Sequence, residues 1–508
     1  MQGHQKAKDL IASGQPLAFQ LGLDGWAIAT RTGQVVRVDP TALTCADPLV
    51  KAWLADKRRA KAVFSSASTA EALWKIGRLY LRGALGFVET MHLLTAGLPP
   101  AEVSKTCERE MGLPCIGSTI DLSPKESLPK LYEAMQQAFF WARMTNLKSE
   151  AVADSDSASI LGRMTGGGVP ASHAKWEEIG EGALLQAARA RGEVAKVLGL
   201  PLTHRSLHTP QALLQDLKTG MPEECVKPLA VWQRAEILAS HLRDPRNGAL
   251  WPNWQATAAT TGRITATSPA VVSLPGEYHE AIVAPPGMLL ASFDWSSEEL
   301  WVAAVLAKDE HLRQALNAGS VYEDLAAELG VDRANAKRTL LGALYGAQPG
   351  PEVLKVAGAT IRHCRGYRLS APKDGGSPIL RSWTGALALE GRTRRRLVLA
   401  GSLERDNGGK LRRSLQNFPI QGTAASLLRR AMVQVEQAIS PRGRITMVLH
   451  DEIVTALPKA EATRRLGSVA REMNLAAEHI LGCRIPLKVG VGQSLAEARA
   501  GAISVAQD

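Results

Sequence analysis

Short apolar runs alternate with amphipathic stretches over the first part of the chain. The runs "PLAFQLGL", "WAIAT", "VVRVD" and "KAVFS" are rich in β-branched and aromatic residues and predict strands. Between and after them, "TAEALWKIGRLYL" and "ESLPKLYEAMQQAFFWARM" space their apolar residues at the helical period. The alternation predicts an α/β unit over about residues 15–145. The polar stretch "KSEAVADSDSAS" that follows predicts a boundary. From Ile160 the pattern turns helical, through "GALLQAARARGEVAKVL", "TPQALLQDL" and "KPLAVWQRAEILASHL", which predict a helical arm. Strands return with "GMLLASFDW" and "GRITMVLHDEIVTAL", interleaved with the helices "VDRANAKRTLLGALYG" and "GTAASLLRRAMVQVEQAI". The second half therefore reads as α+β with an antiparallel hairpin.

Composition narrows the classes. A chain of 508 residues with 45% hydrophobic content can bury several cores and predicts two or more domains. Its six cysteines are scattered, with no C-x-x-C pair, so neither a disulfide framework nor a zinc site is indicated and a reducing cytoplasm is the expected compartment. No apolar stretch is long enough to span a bilayer, and the first residues lack the apolar core of a secretory signal, so no membrane partner is expected. A formal net charge of +11 favours a polyanion such as nucleic acid.

The hairpin sequence "VLHDEIVTALP" places His450, Asp451 and Glu452 where a tight turn normally recruits Asn-Gly. In "LLASFDWSSEELWVAAVL" a strand delivers Asp294 at its carboxyl end and a helix begins at once, with Ser296 as the expected N-cap. Glu299, three residues on, has two readings: half of a capping box, or a functional acid. Two acids on separate strand ends, Asp294 and Asp451, are what a pair of Mg²⁺ ions roughly 3.5–4 Å apart requires of its ligands. In "RANAKRTLLGALYG", Arg333, Lys337, Leu341 and Tyr345 recur at i, i+4, i+8 and i+12 and share one slowly drifting helix face. Cations at one end and a ring at the other suit a triphosphate and a stacked base, with Gly342 and Gly346 expected to allow close approach. Arg392, Arg394, Arg395 and Arg396 in "GRTRRRLVL" form either a solvated face or a contact for template phosphates.

In order and spacing, "FDWSSEEL", "RANAKRTLLGALYG" and "LHDEIV" resemble the three polymerase motifs of family A DNA polymerases, the group of bacterial DNA polymerase I. "TTGRITATSP" resembles the family's TGR segment, and "RSLQNFPIQGTAASLLRRAM" its R-x-x-x-N-x-P-x-Q-G-T-A-A segment, so the likeness covers roughly residues 250–495. The resemblance implies a right hand of palm, fingers and thumb: thumb and lead-in over 146–250, palm and fingers over 251–508, with the fingers at about 309–400. It implies that Asp294 and Asp451 hold two Mg²⁺ ions, with Mn²⁺ as a substitute, and that Glu452 supports them. It places His450 against the primer end, Arg333 and Lys337 on the incoming dNTP, Leu341 against its sugar and Tyr345 over the nascent pair. Glu299 would exclude a ribose 2′-hydroxyl, and Arg263, Arg413, Asn417 and Gln421 would touch primer and template DNA.

Departures accompany the likeness. Leu341 stands where the family usually has Phe or Tyr, which is similar to some phage-encoded members; Ser297 stands at a usual Gln, Tyr322 at a usual His and Leu495 at a usual Trp. "SPAVVSLP" lacks the polar residues of the family's D-P-N-x-Q-N stretch. Over 1–145, "FVETMHLLTAGLPPAEVSKTCEREMGL" and "LYEAMQQAFFWARM" resemble the family's 3′–5′ exonuclease domain, an RNase H-like α/β fold. Its acid positions fall here on Gln20, Gly22, Thr69 and Gln136. The expectation is an exonuclease fold without proofreading, no 5′-nuclease domain, and a monomeric polymerase of a bacterial or phage-infected cell that leaves room for a replication accessory protein. A single-subunit RNA polymerase and a catalytically silent DNA-binding scaffold remain as rivals.

Overall fold

A computed structural model of the chain describes residues 2–22, 25–30, 32, 34–38, 47–63, 65–86, 89–90, 115–116, 119–120, 133, 135–136, 138, 148–217, 220–259, 261–365 and 409–505. All four predicted amino-terminal strands form. β1 (Leu17–Gly22), β2 (Gly25–Ala29), β3 (Val35–Val38), β4 (Lys61–Val63) and β5 (Ala84–Gly86) make one sheet in the order β3-β2-β1-β4-β5. The first three strands pair antiparallel, while β4 and β5 join parallel. Helices α1 (Gln2–Ala12), α2 (Pro48–Ala55) and α3 (Ser66–Gly77) accompany the sheet, and Phe19, Trp26, Trp53 and Leu73 belong to the unit's own core. The first predicted helix, "TAEALWKIGRLYL", ends earlier than its apolar period suggested. Arg78 takes φ 55° and closes α3, which frees Leu79 and Leu81 to enter the core. "ESLPKLYEAMQQAFFWARM" lies largely outside the described residues, though Glu133, Met135, Gln136 and Ala138 are helical.

The polar run expected to be a boundary folds instead as α4 (Lys148–Gly167), with Asp154, Ser155, Ser157 and Ser159 buried. Its polar groups are satisfied in place, which removes the cost of burying them. Ser157 donates to the Asp154 carbonyl at 3.0 Å, Ser159 to that of Ser155 at 3.1 Å, and Ser155 Oγ accepts from the Gly86 N–H at 3.0 Å. Arg429, 1% exposed, donates to Ser157 Oγ at 3.1 Å and lies 3.6 Å from the Asp154 carboxylate. Small residues bring α4 hard against α3: a Cβ on Gly162 would collide with the Ala67 carbonyl.

The predicted arm is present. α5 (His173–Leu198) and α6 (Glu223–Ser240) pack side by side around Val194, Leu229 and Trp232. The second sheet consists of β6 (Met288–Trp295), β7 (Arg444–Leu449), β8 (Glu452–Pro458), β9 (Leu487–Gly492) and β10 (Ile503–Val505) in the order β7-β8-β6-β9-β10, antiparallel throughout. β8 is buried at six successive positions, so both its faces are covered, as its nearly unbroken apolar sequence requires. Helices α7 (Glu298–Ala307), α8 (Glu310–Ala318), α9 (Val321–Leu329), α10 (Arg333–Leu344) and α11 (Pro351–Arg365) lie between β6 and β7 in sequence, ahead of the long α12 (Gly409–Ile439). α13 (Ala462–Leu481) and the short α14 (Leu495–Ala500) follow the hairpin and β9 respectively.

Ser296 is not the cap of α7. Its N–H still bonds the Pro486 carbonyl at 2.8 Å beside the sheet, and the helix starts after Ser297, which takes φ 60° and makes no side-chain cap bond. No described helix is long and apolar enough to cross a membrane.

Candidate active site

β6 is the middle strand of its sheet, and its register sets Asp294 opposite Glu452 on one side and Lys488 on the other. The β7–β8 hairpin turns through His450 and Asp451. His450 adopts φ 59°, the left-handed geometry that an Asn-Gly turn supplies more cheaply, at a cost of roughly 1–2 kcal/mol for an L-residue. The Trp295 N–H reaches the Asp451 carbonyl at 3.4 Å and ties the turn to the end of β6. Asp294 and Asp451, 157 positions apart in sequence, thus line the same two adjoining cavities, of about 810 and 400 Å³.

Burial raises the carboxyl pKa of both. The charge of Glu452 adds to the effect at Asp294, and that of Asp294 adds to it at Asp451. Lys337 pulls against the shift at both acids, joined at Asp294 by Lys488 and Arg499. Two oxygen-donor acids held together against their own repulsion fit a hard divalent cation. Glu452, 3% exposed, is differently employed: it accepts from Ser292 Oγ at 2.6 Å and from Arg499 Nε at 3.1 Å. Among the described residues no group of three or more His, Cys, Asp or Glu is arranged as a metal cage. The protein offers a pair of ligands, and water or substrate oxygens would have to complete the coordination.

α10 begins at Asp332, whose carboxylate caps the Asn335 N–H at 2.7 Å. Arg333 and Lys337 project from its first turns along the 810 Å³ cavity, 5.1 and 5.8 Å from the ring centroid of Tyr322. Arg333 also meets Glu323 at 2.6 Å. Leu341 faces a third cavity of about 290 Å³, shared with Arg263, Glu299, Lys337, His450 and Asp451. Tyr345 closes the helix; its hydroxyl donates to the Glu299 carboxylate, which is also ion-paired with Arg263, and the Gln421 side chain bonds the same tyrosine. Gly346 needs its residue type, at φ 109°. Gly342 does not mark a close approach, since a Cβ there would touch only the Ala347 methyl at 3.7 Å.

The structure therefore gathers Asp294, Asp451, Arg333, Lys337, Leu341, Tyr345, Glu299, Arg263, Gln421 and His450 around connected cavities, with Glu452 alongside. Asn417 sits on α12, half-buried, its amide oxygen without a hydrogen-bond partner among the described residues. The Arg413 side chain and the arginines at 392–396 lie outside the described residues. Sequence reasoning missed Glu298, Lys488, His279 and Arg499. Glu298 is buried in the third cavity, its Oε1 unpartnered, and burial followed by the Asp451 charge pushes its carboxyl well up. Its only signal was a second acid beside Glu299 at the start of an apolar helix. Arg499 carried none beyond being basic.

The model of DNA polymerase family A matches residues 195–351 and 388–497, more than half of the chain. The thermostable DNA polymerase I of Thermus filiformis is 31% identical over 288 residues, which cover 50% of this chain and 33% of that protein. The Thermus aquaticus enzyme is 30% identical over 340 residues, 58% of this chain and 39% of the relative. DNA polymerase I of Pseudomonas aeruginosa is 26% identical over 347 residues, 59% and 37%. The chain thus matches little more than a third of the length of these relatives. In fold it is similar to the POL domain of Pol1 from M. smegmatis, solved in complex with DNA primer-template and dNTP. The TM-score is 0.75 at 20% identity, covering 97% of this chain and 98% of that one.

Proposed function

The chain belongs to DNA polymerase family A, and from that premise we propose that it is a template-directed DNA polymerase whose active centre is the meeting point of Asp294, Asp451 and α10. The observation that carries the reading is the convergence of two repelling, half-buried carboxylates with Arg333 and Lys337 on one cavity. We read the β6–β10 sheet as the palm, α8–α11 as part of the fingers and the α5–α6 pair as the thumb. The amino-terminal sheet is then an exonuclease-type fold whose acid positions carry Gln20, Gly22, Thr69 and Gln136.

Asp294 and Asp451 are the residues that would hold Mg²⁺, or Mn²⁺ in its place. Bound there, the ions supply charge stabilisation for the attacking and departing oxygens. The chain's own groups do the positioning. Arg333 and Lys337, stacked on Tyr322, hold the triphosphate of the incoming dNTP. Leu341 and Tyr345 wall its sugar and base, Glu299 fills the space beside the 2′ carbon, and Arg263, Asn417 and Gln421 meet the DNA. The primer 3′-hydroxyl, next to His450, gives up its proton to solvent as its oxygen attacks the α-phosphorus in line. The bond to the bridging oxygen breaks, and pyrophosphate departs along the cationic face of α10.

The test is primer extension on a labelled primer-template with dNTPs, with NTPs and without nucleotide. Extension with dNTPs alone is expected. Asp294→Asn and Asp451→Asn should each lower single-nucleotide insertion by about 10³-fold or more while DNA binding by fluorescence anisotropy stays within about twofold. Preference for NTPs would favour an RNA polymerase; DNA binding with no extension would favour a silent scaffold. Near-normal rates in either variant would remove the ligand assignment.

A further inference from the structure

The most constrained carboxylate beside the acidic pair is Glu452, the first residue of β8. Glu452 faces Asp294 across the β6–β8 ladder and follows Asp451 directly, so three carboxylates crowd one corner of the sheet. The third is tied down at both oxygens. Oε1 accepts from Ser292 Oγ at 2.6 Å and from Arg499 Nε at 3.1 Å, and Oε2 accepts from Arg499 Nη2. The guanidinium is itself held from behind, its Nη1 donating to His279 Nδ1 at 2.9 Å. Arginine has donors only, so the facing ring nitrogen of His279 is an acceptor. Burial and Arg499 hold that imidazole below its ordinary pKa, which agrees with a neutral ring.

The helix that delivers Arg499 is anchored independently of Glu452. Ser494 Oγ caps the Glu497 N–H at 3.2 Å, Leu495 and Ala498 are fully buried, and a Cβ on Gly492 would come within 2.7 Å of the Ala498 nitrogen. α14 therefore lies flush on β9 and carries its arginine to the corner where Glu452 stands.

We propose that Arg499 is a positioning residue: it locks Glu452 out of the metal-binding pair and opposes its charge, so that the centre presents Asp294 and Asp451 as its two free carboxylates. The inference rests on the polymerase reading for its catalytic consequence, though not for its effect on cation binding. A bidentate arginine–carboxylate pair with a further hydroxyl donor leaves Glu452 little acceptor capacity for a cation. Without Arg499, a nearly fully buried carboxylate is left uncompensated beside two others, and it turns toward any cation they hold.

The experiment compares wild type with Arg499→Gln, Arg499→Lys and the double variant Arg499→Gln/Glu452→Gln, after thermal unfolding has established that each is folded. The first readout is Mn²⁺ binding to the DNA-free protein by electron paramagnetic resonance. The second is the Mg²⁺ dependence of single-nucleotide insertion. Arg499→Gln should tighten Mn²⁺ binding by about fivefold or more, as an unscreened neighbouring charge does, and lower kcat by about tenfold or more while KM for dNTP moves less than about twofold. Lysine, which keeps the charge and loses the fork, should fall between the two, and adding Glu452→Gln should return Mn²⁺ binding to the wild-type value. Unchanged Mn²⁺ binding in Arg499→Gln, or a tightening that persists in the double variant, overturns the proposal. If Arg499→Gln does not fold, Arg499→Lys decides, and wild-type cation binding there overturns it equally. A wild-type protein that fails to extend primers yet shows these Mn²⁺ shifts would sink the polymerase reading and leave the role of Arg499 standing.

Discussion

Glu299 is where one side chain does work that its position in sequence does not announce. A capping box would aim its carboxylate back at the start of α7. Instead the carboxylate accepts from the Tyr345 hydroxyl and pairs with Arg263, so it joins three separate segments at the wall of the cavity that Leu341 faces. What it contributes to α7 is the first-turn dipole term, about 0.3–1 kcal/mol. If the carboxylate occupies the space of a ribose 2′-hydroxyl, Glu299→Ala should raise ribonucleotide relative to deoxyribonucleotide insertion by about tenfold or more, read as the ratio of kcat/KM values. An unchanged ratio in a folded, active variant would leave Glu299 as the anchor of Tyr345 and nothing more. The motif made the residue visible; only the fold supplied Tyr345 and Arg263 as its partners.

Among elements, α8 and α11 are coupled through a single buried acid. α11 departs from helical geometry at Ala357, with φ −134° and ψ 22°, and the Thr360 N–H and hydroxyl reach Asp309 Oδ2 at 3.1 and 2.8 Å. The other oxygen, Oδ1, caps α8 through the Leu312 N–H at 3.1 Å. Asp309, 7% exposed, thus satisfies a helix start and a helix kink together. Replacing it with Ala removes the cap and strands two buried donors, and urea unfolding should register a loss of about 2–4 kcal/mol. A loss under about 1 kcal/mol would mean that water satisfies both sites and that the coupling is not there. At this scale the apolar period was a good guide wherever burial was apolar: β1–β4, α5, α6, α10 and the β7–β8 hairpin all fall on predicted runs. It misled at α4, because Asp154, Ser155 and Ser157 are buried on the strength of hydrogen bonds and an arginine from α12, which no period reveals.

At the scale of the whole molecule, α4 lies between two bodies: its glycines admit α3 of the amino-terminal unit, and its polar face meets Arg429 of α12. The first unit is therefore packed onto the remainder through a polar, interlocking surface. Gln20 and Gly22 stand on its middle strand β1 and Thr69 on α3, and on the exonuclease-type reading proposed above these are positions where a proofreading centre would need acids. A mismatched primer incubated with the protein, Mg²⁺ and no dNTP should stay at full length. Progressive shortening that is abolished by changes within residues 15–145 would mean that working acids stand elsewhere in the unit.

What the sequence determined by itself was local chemistry: a strand that carries Asp294 at its carboxyl end, a helix with Arg333, Lys337 and Tyr345 on one face, and a hairpin whose turn is spent on His450 and Asp451. Each is set within a dozen residues by side-chain type and period, so each could be read without a fold. The tertiary structure alone decided the pairings across long stretches of chain: Arg499 on Glu452, Arg429 on Asp154, Asp309 on Thr360, and Glu299 between Arg263 and Tyr345. A buried charge is tolerated only where a partner arrives to meet it, and which partner arrives follows from how whole helices pack.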